Sequence, residues 1–429
     1  MRLLVLGGGA REHAIVARCV GERDVDEVLV APGNPGIAGL ARLATVDPSD
    51  PEAVLALADM HQIDLTIVGP EAPLSAGIVD AFQEAGRLIV GPTRAAARLE
   101  TSKAFAKAFM QRHTVPTARF LTCESAEEAL TCARSGRLGF PLVVKADGLA
   151  AGKGVVIAAD LAEAEAAIRQ AMTEQRFGTA GDRVVLEECL TGPEVSFFVL
   201  CDGRRALPIG TAQDHKRIFD GDRGPNTGGM GAFAPSPLVD RALHDLVMGR
   251  IVDPVIRGMA EEGCPFAGFL YVGLMLTNDG PKVIEFNVRL GDPEAQVILP
   301  LIDEPLLPLL VAAAAGQLPQ AAVRIAPEVR VGVVIASRGY PDASESGRPI
   351  SGLDAAVLQP GVTVCHAGTA RREGRIVTAG GRVLTVVGGG ADFASAIARA
   401  YAGVSAIAFD GMQYRRDIGQ KALLASPRP

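Results

Sequence analysis

The chain has 429 residues, of which 48% are apolar, 21% are charged and 4% are aromatic. This length predicts about three domains, and the composition is typical of a globular α/β protein rather than a disordered or fibrous one. The 42 basic and 49 acidic residues leave a net charge of −7, and the chain has no Trp. Because neither a broad cationic surface nor a set of stacking side chains is implied, we expect no nucleic-acid partner.

Cysteine use and hydropathy indicate where the protein works. The seven cysteines are odd in number and no two have the C-x-x-C spacing of metal and redox sites, so we expect reduced thiols in a cytoplasmic protein. The apolar start MRLLVLGGGA is too short for a signal peptide, and no apolar run approaches the roughly 20 residues of a membrane span. We therefore expect no membrane partner, and we take the chain as a monomer.

Residues 1–100 alternate strand-like and helical patterns. The strand-like runs are RLLVLG, EVLVAPG, LTIVGPE and RLIVGP, and helical periodicity lies between them. This alternation predicts a doubly wound parallel sheet. The first turn, GGGAREH, does not complete the dinucleotide-binding pattern G-x-G-x-x-G because Glu12 stands at the third glycine, which argues against a nicotinamide cofactor.

The turns that follow these strands are candidate anion sites. A glycine-rich turn before a helix presents backbone amides to an anion, which predicts a contact at Gly9 with Arg11 as a charged donor. Asn34 and Glu71 also follow strand ends, and a parallel sheet places such residues along one crevice. Turn formation alone is the alternative role of these residues.

The stretch TSKAFAKAFMQRH, residues 101–113, predicts a helix capped by Thr101 or Ser102. Lys103 lies in its first turn, where the helix dipole disfavours a cation. A nearby anion would explain this lysine, and a solvated side chain is the alternative.

The stretch KADGLAAGKGV begins at Lys145 and follows the apolar, strand-like run FPLVV. Its glycines, Gly148, Gly152 and Gly154, permit positive φ and close approach of amides to an anion, and Lys145 and Lys153 add charge. The spacing differs from the P-loop, which requires four residues between its glycines and then Lys-Ser/Thr. We interpret the stretch as a phosphate-binding turn of another nucleotide fold, with a mobile surface hairpin as the alternative.

The run RVVLEECL reads as a buried strand after the amphipathic helix that DLAE at 160–163 would cap. The strand edge around Glu187, Glu188 and Leu190 can offer backbone hydrogen bonds to an adenine. Glu194, just beyond, can accept from both hydroxyls of a ribose. Ordinary surface charge is the alternative for these three glutamates.

Residues 213–235 form the longest stretch without a secondary-structure period and contain five glycines. Long loops in compact proteins are usually functional or disordered. Lys216 beside Asp214 suggests a loop that closes over a charged substrate.

Residues 267–289 contain the clearest catalytic pattern. AGFLYVGLML and KVIEFNV are strands joined by the turn TNDG. Strand alternation sends Ile284 and Phe286 to one face and Glu285, Asn287 and Arg289 to the other. Glu285 and Asn287 thus offer hard oxygens to Mg²⁺, which takes one or two protein oxygens together with phosphates and water.

Residues after about 326 are short β-like runs closed by a last helix, DFASAIARAYAGV, into a small α+β domain. The Pro/Ala-rich segment LPQAAVRIAPE is the predicted linker.

These motifs, in this order, resemble the phosphoribosylamine–glycine ligase family of the ATP-grasp superfamily. The similarity runs from residue 1 to about 424 and is strongest in LGGGAREHA, APGNPG, IVGPEAPL, VKADGLAAGKGV, QDHKR, GPNTGGMGA, KVIEFNVRLGDPE, HAGT and YRRDIG. It implies an N-terminal substrate domain over 1–100, an ATP-grasp domain over 101–325 with a small lid lobe at about 118–190, and a C-terminal α+β domain over 326–429.

The resemblance also implies an activity and a set of site residues. ATP and Mg²⁺ or Mn²⁺ would serve a ligation of glycine to 5-phospho-β-D-ribosylamine through glycyl phosphate, the second step of purine synthesis. Catalytic roles fall on Lys145, Arg289 and Asp214, and metal binding on Glu285 and Asn287. Nucleotide contacts fall on Lys103, Lys145, Gly152, Lys153, Gly154, Glu187, Glu188, Leu190 and Glu194. Substrate contacts fall on Gly9, Arg11, Asn34, Glu71, Asp214, Lys216, Arg289 and Gly291. The alternatives are a sibling ligase that activates bicarbonate or formate, and a catalytically silent ATP-binding protein.

Overall fold

The computed structural model describes residues 1–149 and 154–424. Its N-terminal part is a parallel sheet with the strands β1 (Arg2–Gly7), β2 (Glu27–Pro32), β3 (Arg42–Leu43), β4 (Leu65–Val68) and β5 (Ile89–Val90). The order β3-β2-β1-β4-β5 confirms the predicted doubly wound sheet. Strand β3 has no counterpart in the sequence pattern because two residues are too few to show a period.

Helices cover both faces of this sheet. They are α1 (Ala10–Cys19), α2 (Pro51–Met60), α3 (Glu71–Ala76), α4 (Ile78–Glu84) and α5 (Arg94–Thr101). Leu3 and Val5 of β1 belong to the core that contains α1, whereas Leu4 and Leu6 belong to the core that contains α2 and α4. Because both faces are buried, the strand reads as a continuous apolar run instead of an alternating one.

A small lobe follows in the chain. Helix α6 (Lys103–Arg112) precedes it and packs in the same core as α5. The elements of the small lobe are β6 (Phe120–Cys123), α7 (Ala126–Arg134), β7 (Leu142–Ala146), β8 (Val155–Ala158), α8 (Leu161–Ile168) and β9 (Val184–Glu188). Ser102 caps α6 and Asp160 caps α8, which confirms both predicted helix starts. The strands form an antiparallel sheet in the order β6-β9-β7-β8. The prediction that β9 is a sheet edge is therefore wrong, because β9 is paired on both sides.

The largest sheet joins the middle and the end of the chain. Its strands are β10 (Glu194–Asp202), β11 (Ala206–Asp214), β14 (Gly231–Ala234), β15 (Ala267–Thr277), β16 (Gly280–Asn287), β17 (Val329–Ala336), β18 (Val362–His366) and β21 (Arg382–Gly390). Two hairpins stand apart from it, β12 (Arg217–Phe219) with β13 (Arg223–Asn226), and β19 (Thr369–Arg372) with β20 (Arg375–Thr378). The predicted hairpin of β15 and β16 is confirmed.

The order of the large sheet is β16-β15-β10-β11-β14-β17-β21-β18. The C-terminal strands thus extend the sheet of the middle region, since β14 pairs with β17 from Gly231↔Val333 to Ala234↔Arg330. The short C-terminal strands predict a separate small domain. The pairing of β14 with β17 could not be predicted, because the two strands lie far apart in the chain and a local sequence period carries no information on such pairing.

The remaining helices are α9 (Arg241–Val247), α10 (Asp253–Glu261), α11 (Ala295–Ile298), α12 (Leu306–Ala314), α13 (Leu353–Val357), α14 (Phe393–Ala406) and α15 (Gln420–Leu424). The predicted last long helix is α14, which begins after the capping residue Asp392. Within residues 1–149 and 154–424, no helix combines the length and the apolar character of a membrane span.

The stretch 213–235 is not the structureless loop that its composition predicts. It contains the end of β11, the hairpin of β12 and β13, and strand β14. These strands are three or four residues long and rich in Arg, Gly and Pro, so they show no alternation. Their order comes from pairing and from contacts with the C-terminal segment.

Arg415 holds that hairpin against the C-terminal segment. Its side chain is fully buried and bonds both carboxylate oxygens of Asp417, from Nε at 2.8 Å and from a terminal nitrogen at 2.7 Å. Its other terminal nitrogen reaches Asp222 at 2.9 Å and the carbonyl of Arg217 at 3.0 Å. A planar guanidinium suits this bidentate pairing, which fixes the hairpin relative to residues 414–419.

Arg415→Met is expected to lower the free energy of unfolding by about 2–4 kcal/mol, because it leaves the carboxylates of Asp222 and Asp417 without their shared partner. Urea denaturation measures this change. The adjacent Arg416→Met is the matched control, since its side chain is exposed and only its backbone amide bonds Asp220. Equal stability of the two variants would contradict the role assigned to Arg415.

Candidate active site

A cavity of about 1070 Å³ lies between the small lobe, the end of the large sheet and the carboxyl ends of β1 and β4. Lys145, Gly148 and Gly154 line it from the small lobe, and Glu285 and Asn287 line it from β16. The glycine turn and the hairpin, which the sequence treats as two separate signals, therefore face one space. Gly152 and Lys153, also predicted to bind nucleotide, lie outside the described residues.

Lys145 and Lys107 share one buried carboxylate. Lys145 Nζ lies 2.9 Å from Glu187 Oε1, and Lys107 Nζ lies 2.7 Å from Glu187 Oε2. Burial lowers the pKa of Lys107 to about 8, although the field of Glu187 opposes this shift. Glu187 therefore pairs with two lysines and lines the cavity, and its predicted contact with a nucleotide stays a prediction.

A β-bulge in β16 sets which of its side chains face the cavity. Gly273 pairs with Glu285 but Leu274 pairs with Val283, so Ile284 is an extra residue. The buried positions are Pro281 and Val283 before the bulge and Phe286 and Val288 after it. The prediction that Ile284 shares a face with Phe286 is wrong, because the extra residue resets the alternation and leaves Ile284 partly exposed while Phe286 is buried.

The bulge also connects the wall of the cavity formed by the small lobe with the wall formed by β16. Lys145 Nζ donates to the carbonyl of Ile284 at 3.1 Å. Burial alone would raise the pKa of Glu285, but the fields of Lys216, Lys145 and Lys103 outweigh it and hold the pKa below its usual range. The Glu285 carboxylate is therefore ionised at neutral pH and lies in a cationic surrounding.

The anion expected beside Lys103 is present. Asp147 accepts from the backbone nitrogen of Ala104 at 3.0 Å and from Ser102 Oγ at 3.2 Å, so it satisfies the start of α6. Lys103 Nζ donates to the carbonyl of Gly148 at 2.8 Å, and burial lowers its pKa. Lys103 thus links α6 to the glycine turn.

Arg289 is held between two carboxylates. Its Nε lies 3.3 Å from Glu71 and its terminal nitrogen donates to Glu100 Oε1 at 3.0 Å. Burial alone would lower the pKa of Arg289, but Glu100 and Glu71 outweigh it and raise the pKa. Glu100 is absent from the sequence predictions, and no local signal marks it, since it is one acid in a helix.

Asp214 and Lys216 lie in an acidic part of the cavity. Lys216 Nζ contacts Glu194 at 2.8 Å and Glu285 at 3.5 Å. Burial, with a smaller effect of Glu294, Glu194 and Glu285, raises the pKa of Asp214 to about 7 against the opposing field of Lys216. Glu294, which the sequence predictions omit, is 5% exposed and accepts from Ser196 Oγ at 3.3 Å.

The N-terminal turn binds its own chain. Glu12 accepts from the Gly9 amide at 2.6 Å and pairs with Arg11 Nε at 2.6 Å. An internal carboxylate thus takes the place that the anion of a ligand would occupy at this turn. Gly9 does not line the cavity, and the predicted ligand contact there stays a prediction. Arg11 lines the cavity, where it also donates to the carbonyl of Leu290 at 3.1 Å.

Asn34 is likewise a turn residue. Its amide donates to the carbonyls of Gly8 and His366 and accepts from the amides of Gly36 and Ile37. All of these bonds lie at 2.8–3.0 Å, and Asn34 does not line the cavity. The side chain therefore joins the first turn to β18, and the predicted substrate contact stays a prediction.

The segment after β9 supplies the rest of the small-lobe wall. Glu188, Leu190 and Glu194, which are predicted to contact the nucleotide, line the cavity, and Gly291 lines it beside Arg289. Glu188 accepts from the amide of Arg119 at 2.9 Å, so its carboxylate is already engaged. The segment 189–193 lies beyond the paired strand, and it is there that backbone groups can meet a ligand.

Glu285 and Asn287 fit a divalent cation brought by a phosphate ligand. Both offer oxygens, both line the cavity, and lysines that suit phosphate lie on the facing wall. Within residues 1–149 and 154–424, no group of three or more His, Cys, Asp or Glu side chains has the geometry of a metal site. Two protein oxygens completed by phosphates and water are the coordination that Mg²⁺ commonly takes.

The fold and the cavity define the class of protein. Three sequence models match the chain: "Phosphoribosylglycinamide synthetase, N domain" over residues 1–100, the "ATP-grasp (A) domain" over 101–295 and the "C domain" over 330–421. The chain is an ATP-grasp ligase. More narrowly, it belongs to the phosphoribosylglycinamide synthetase family.

Individual relatives agree with this assignment. The chain is 50% identical over 428 residues to phosphoribosylamine–glycine ligase of Xylella fastidiosa strain Temecula1, covering 99% of both chains. It is 49% identical over 424 residues to the ligase of the same name from Ralstonia nicotianae, covering 99% of this chain and 100% of that protein. The crystal structure of phosphoribosylamine–glycine ligase from Thermotoga maritima matches with a TM-score of 0.84 and 33% identity, over 97% of this chain and 100% of that one.

A more distant structure shares the fold alone. The biotin carboxylase domain of Hydrogenobacter thermophilus 2-oxoglutarate carboxylase, in a complex that contains MgADP, matches with a TM-score of 0.75 and 19% identity. The match covers 96% of this chain and 91% of that one.

Proposed function

We propose that this chain joins glycine to 5-phospho-β-D-ribosylamine at the expense of ATP, as the second step of purine biosynthesis. The observation that supports the proposal best is the convergence of Lys145 and the bulge of β16, where Lys145 Nζ lies 3.1 Å from the carbonyl of Ile284. Transfer of a phosphoryl group to a carboxylate requires two anions to meet, and this contact brings cationic and metal-binding groups to one point.

The reaction has two steps, and the charged side chains of the cavity are complementary to the groups that react in each step. A glycine carboxylate oxygen attacks the terminal phosphorus of ATP, which releases ADP and gives glycyl phosphate. The ribosylamine nitrogen then attacks the acyl carbon, phosphate leaves, and the nitrogen loses a proton as the amide forms. Positioning two small substrates together is worth roughly 7–11 kcal/mol of the barrier.

Each side chain has a role in this scheme. Lys103 and Lys145 stabilise the charge on the transferred phosphoryl group, and the segment 189–194 holds the nucleoside. Arg289 binds the substrate carboxylate or the acyl phosphate, and Asp214 holds the glycine ammonium. A divalent cation, Mg²⁺ or Mn²⁺, held by Glu285 and Asn287 would offset phosphate charge.

Substrate omission tests the proposal. Continued ADP release over many turnovers is expected to require both glycine and the ribosylamine together with ATP. A sibling ligase would release ADP with bicarbonate or formate in place of glycine, and a silent ATP-binding protein would release none. Either result would overturn the proposed reaction.

The pH profile for glycine follows from Asp214. Because burial raises the pKa of its carboxyl to about 7, the ionised form that binds an ammonium is lost as pH falls below that value. The value of kcat/KM for glycine is expected to fall about tenfold per pH unit below pH 7 and to level off above it. Asp214→Asn removes the charge and is expected to flatten the profile, while a level wild-type profile between pH 5.5 and pH 8 would contradict the role.

Location, assembly and domain limits complete the proposal. We place the protein in the cytoplasm, as its seven unpaired thiols suggest, and we take it as a monomer. Sedimentation at several concentrations measures the mass in solution. We divide the chain into three domains, 1–100, 101–325 and 326–429. The second and third domains contribute strands to one sheet.

A further inference from the structure

Glu100 contacts the residues that follow directly after the end of β16. It lies in the last turn of α5, and its side chain is 7% exposed. Oε2 accepts from the backbone amide of Val288 at 2.7 Å, and Oε1 accepts from Arg289 at 3.0 Å. A buried carboxylate with this many donors is held in one orientation.

The same carboxylate decides which way the Asn287 amide points. Two acceptors face this amide, Glu100 Oε1 and the carbonyl of Phe286, so hydrogen bonds form only with the nitrogen turned toward them, at 3.2 Å and 3.1 Å. The Asn287 amide oxygen is then the atom that can bind a cation. In the opposite orientation the amide would present a nitrogen, which carries protons and cannot bind Mg²⁺.

We propose that Glu100 is a positioning residue that turns the Asn287 amide oxygen toward the cation and, with the same carboxylate, fixes Arg289. The inference rests on the proposed function, because it assigns the cation to Glu285 and Asn287. Glu71 supplies the contrast, since it contacts Arg289 at 3.3 Å from the other side and has no hydrogen bond to Asn287 in the described part of the chain.

Mn²⁺ affinity tests the proposal without relying on turnover. Electron paramagnetic resonance reports free Mn²⁺ during titration of the protein with ADP present. Glu100→Gln keeps the size of the side chain but has one acceptor oxygen in place of two, so it cannot satisfy the donors of Val288, Arg289 and Asn287 together. Mn²⁺ affinity is therefore expected to fall about 10- to 100-fold, the usual cost of losing a partner of a metal ligand. Glu71→Gln is the matched control and is expected to leave Mn²⁺ affinity within about twofold while raising KM for glycine.

A compensating exchange separates positioning from general stability. In Glu100→Gln with Asn287→Asp, residue 287 has an oxygen at either end, and the new amide at 100 can donate to it. This double variant is expected to regain at least about tenfold in Mn²⁺ affinity over Glu100→Gln, reversing the loss of a metal-ligand partner. If Glu100→Gln does not fold, the double variant is compared with Asn287→Asp instead. Asn287→Asp places its new carboxylate beside that of Glu100, so this single variant is expected to bind Mn²⁺ no better than the double variant does.

Unchanged Mn²⁺ affinity in Glu100→Gln, or an equal loss in Glu71→Gln, would overturn the proposal. Failure of the proposed reaction would show differently, as ADP release by the wild-type protein that does not require glycine.

Discussion

Lys145→Met is expected to lower kcat by about a hundredfold or more, the usual scale for losing one group that stabilises transition-state charge. Lys145 is the cation that touches both halves of the cavity, through Glu187 at 2.9 Å and the carbonyl of Ile284 at 3.1 Å. The methionine retains most of the apolar stem, so the loss reports the charge. Single-turnover kinetics with saturating ATP and glycine measure the effect.

Lys107→Met is the matched control for this change. Lys107 binds the other oxygen of the same carboxylate, Glu187 Oε2, at 2.7 Å and also donates to Thr117 at 2.7 Å. Its removal is expected to lower the free energy of unfolding by about 1–3 kcal/mol, because a buried acceptor loses a partner. We expect kcat to fall less than about tenfold, since Lys145 remains. Equal losses of turnover in the two variants would show that the pair acts only on structure.

Glu285→Ala is expected to lower kcat by about a hundredfold or more and to weaken Mn²⁺ binding in parallel. The carboxylate is one of two protein oxygens assigned to the cation, and Lys216, Lys145 and Lys103 hold its pKa below the usual range. Without the Glu285 carboxylate, these three lysines would face the phosphates of ATP with no cation to position the phosphate oxygens. Turnover as a function of Mn²⁺ concentration, with binding measured on the same preparation, checks the expectation.

Glu194→Ala is the matched control, because Glu194 and Glu285 both contact Lys216, at 2.8 Å and 3.5 Å. Loss of Glu194 is expected to raise KM for ATP through its ribose contact and to leave kcat within about tenfold of wild type. A mild loss of turnover in Glu285→Ala with normal Mn²⁺ affinity would place the cation elsewhere.

Much of the candidate site could be predicted from the sequence, because phosphate and metal sites in proteins use few residue types. Lys145 at the start of the glycine turn and Glu-x-Asn at a strand end are predicted site residues that line the cavity. The same reasoning is less specific at Asn34 and Gly9, which do not line the cavity. A glycine or asparagine after a strand serves a turn as readily as a ligand, and only the positions of Glu12 and His366 distinguish the two.

The sequence by itself determined the local elements and their chemistry. The doubly wound sheet, the capped helices α6 and α8 and the hairpin of β15 and β16 depend on periods, caps and turns between near neighbours. The tertiary structure alone decided how those elements combine. The bulge at Ile284 sets which side chains face the cavity, β14 and β17 join two parts into one sheet, and Glu100 meets Arg289 across 189 positions of chain. Pairing at such distances depends on packing in three dimensions, and no local pattern records it.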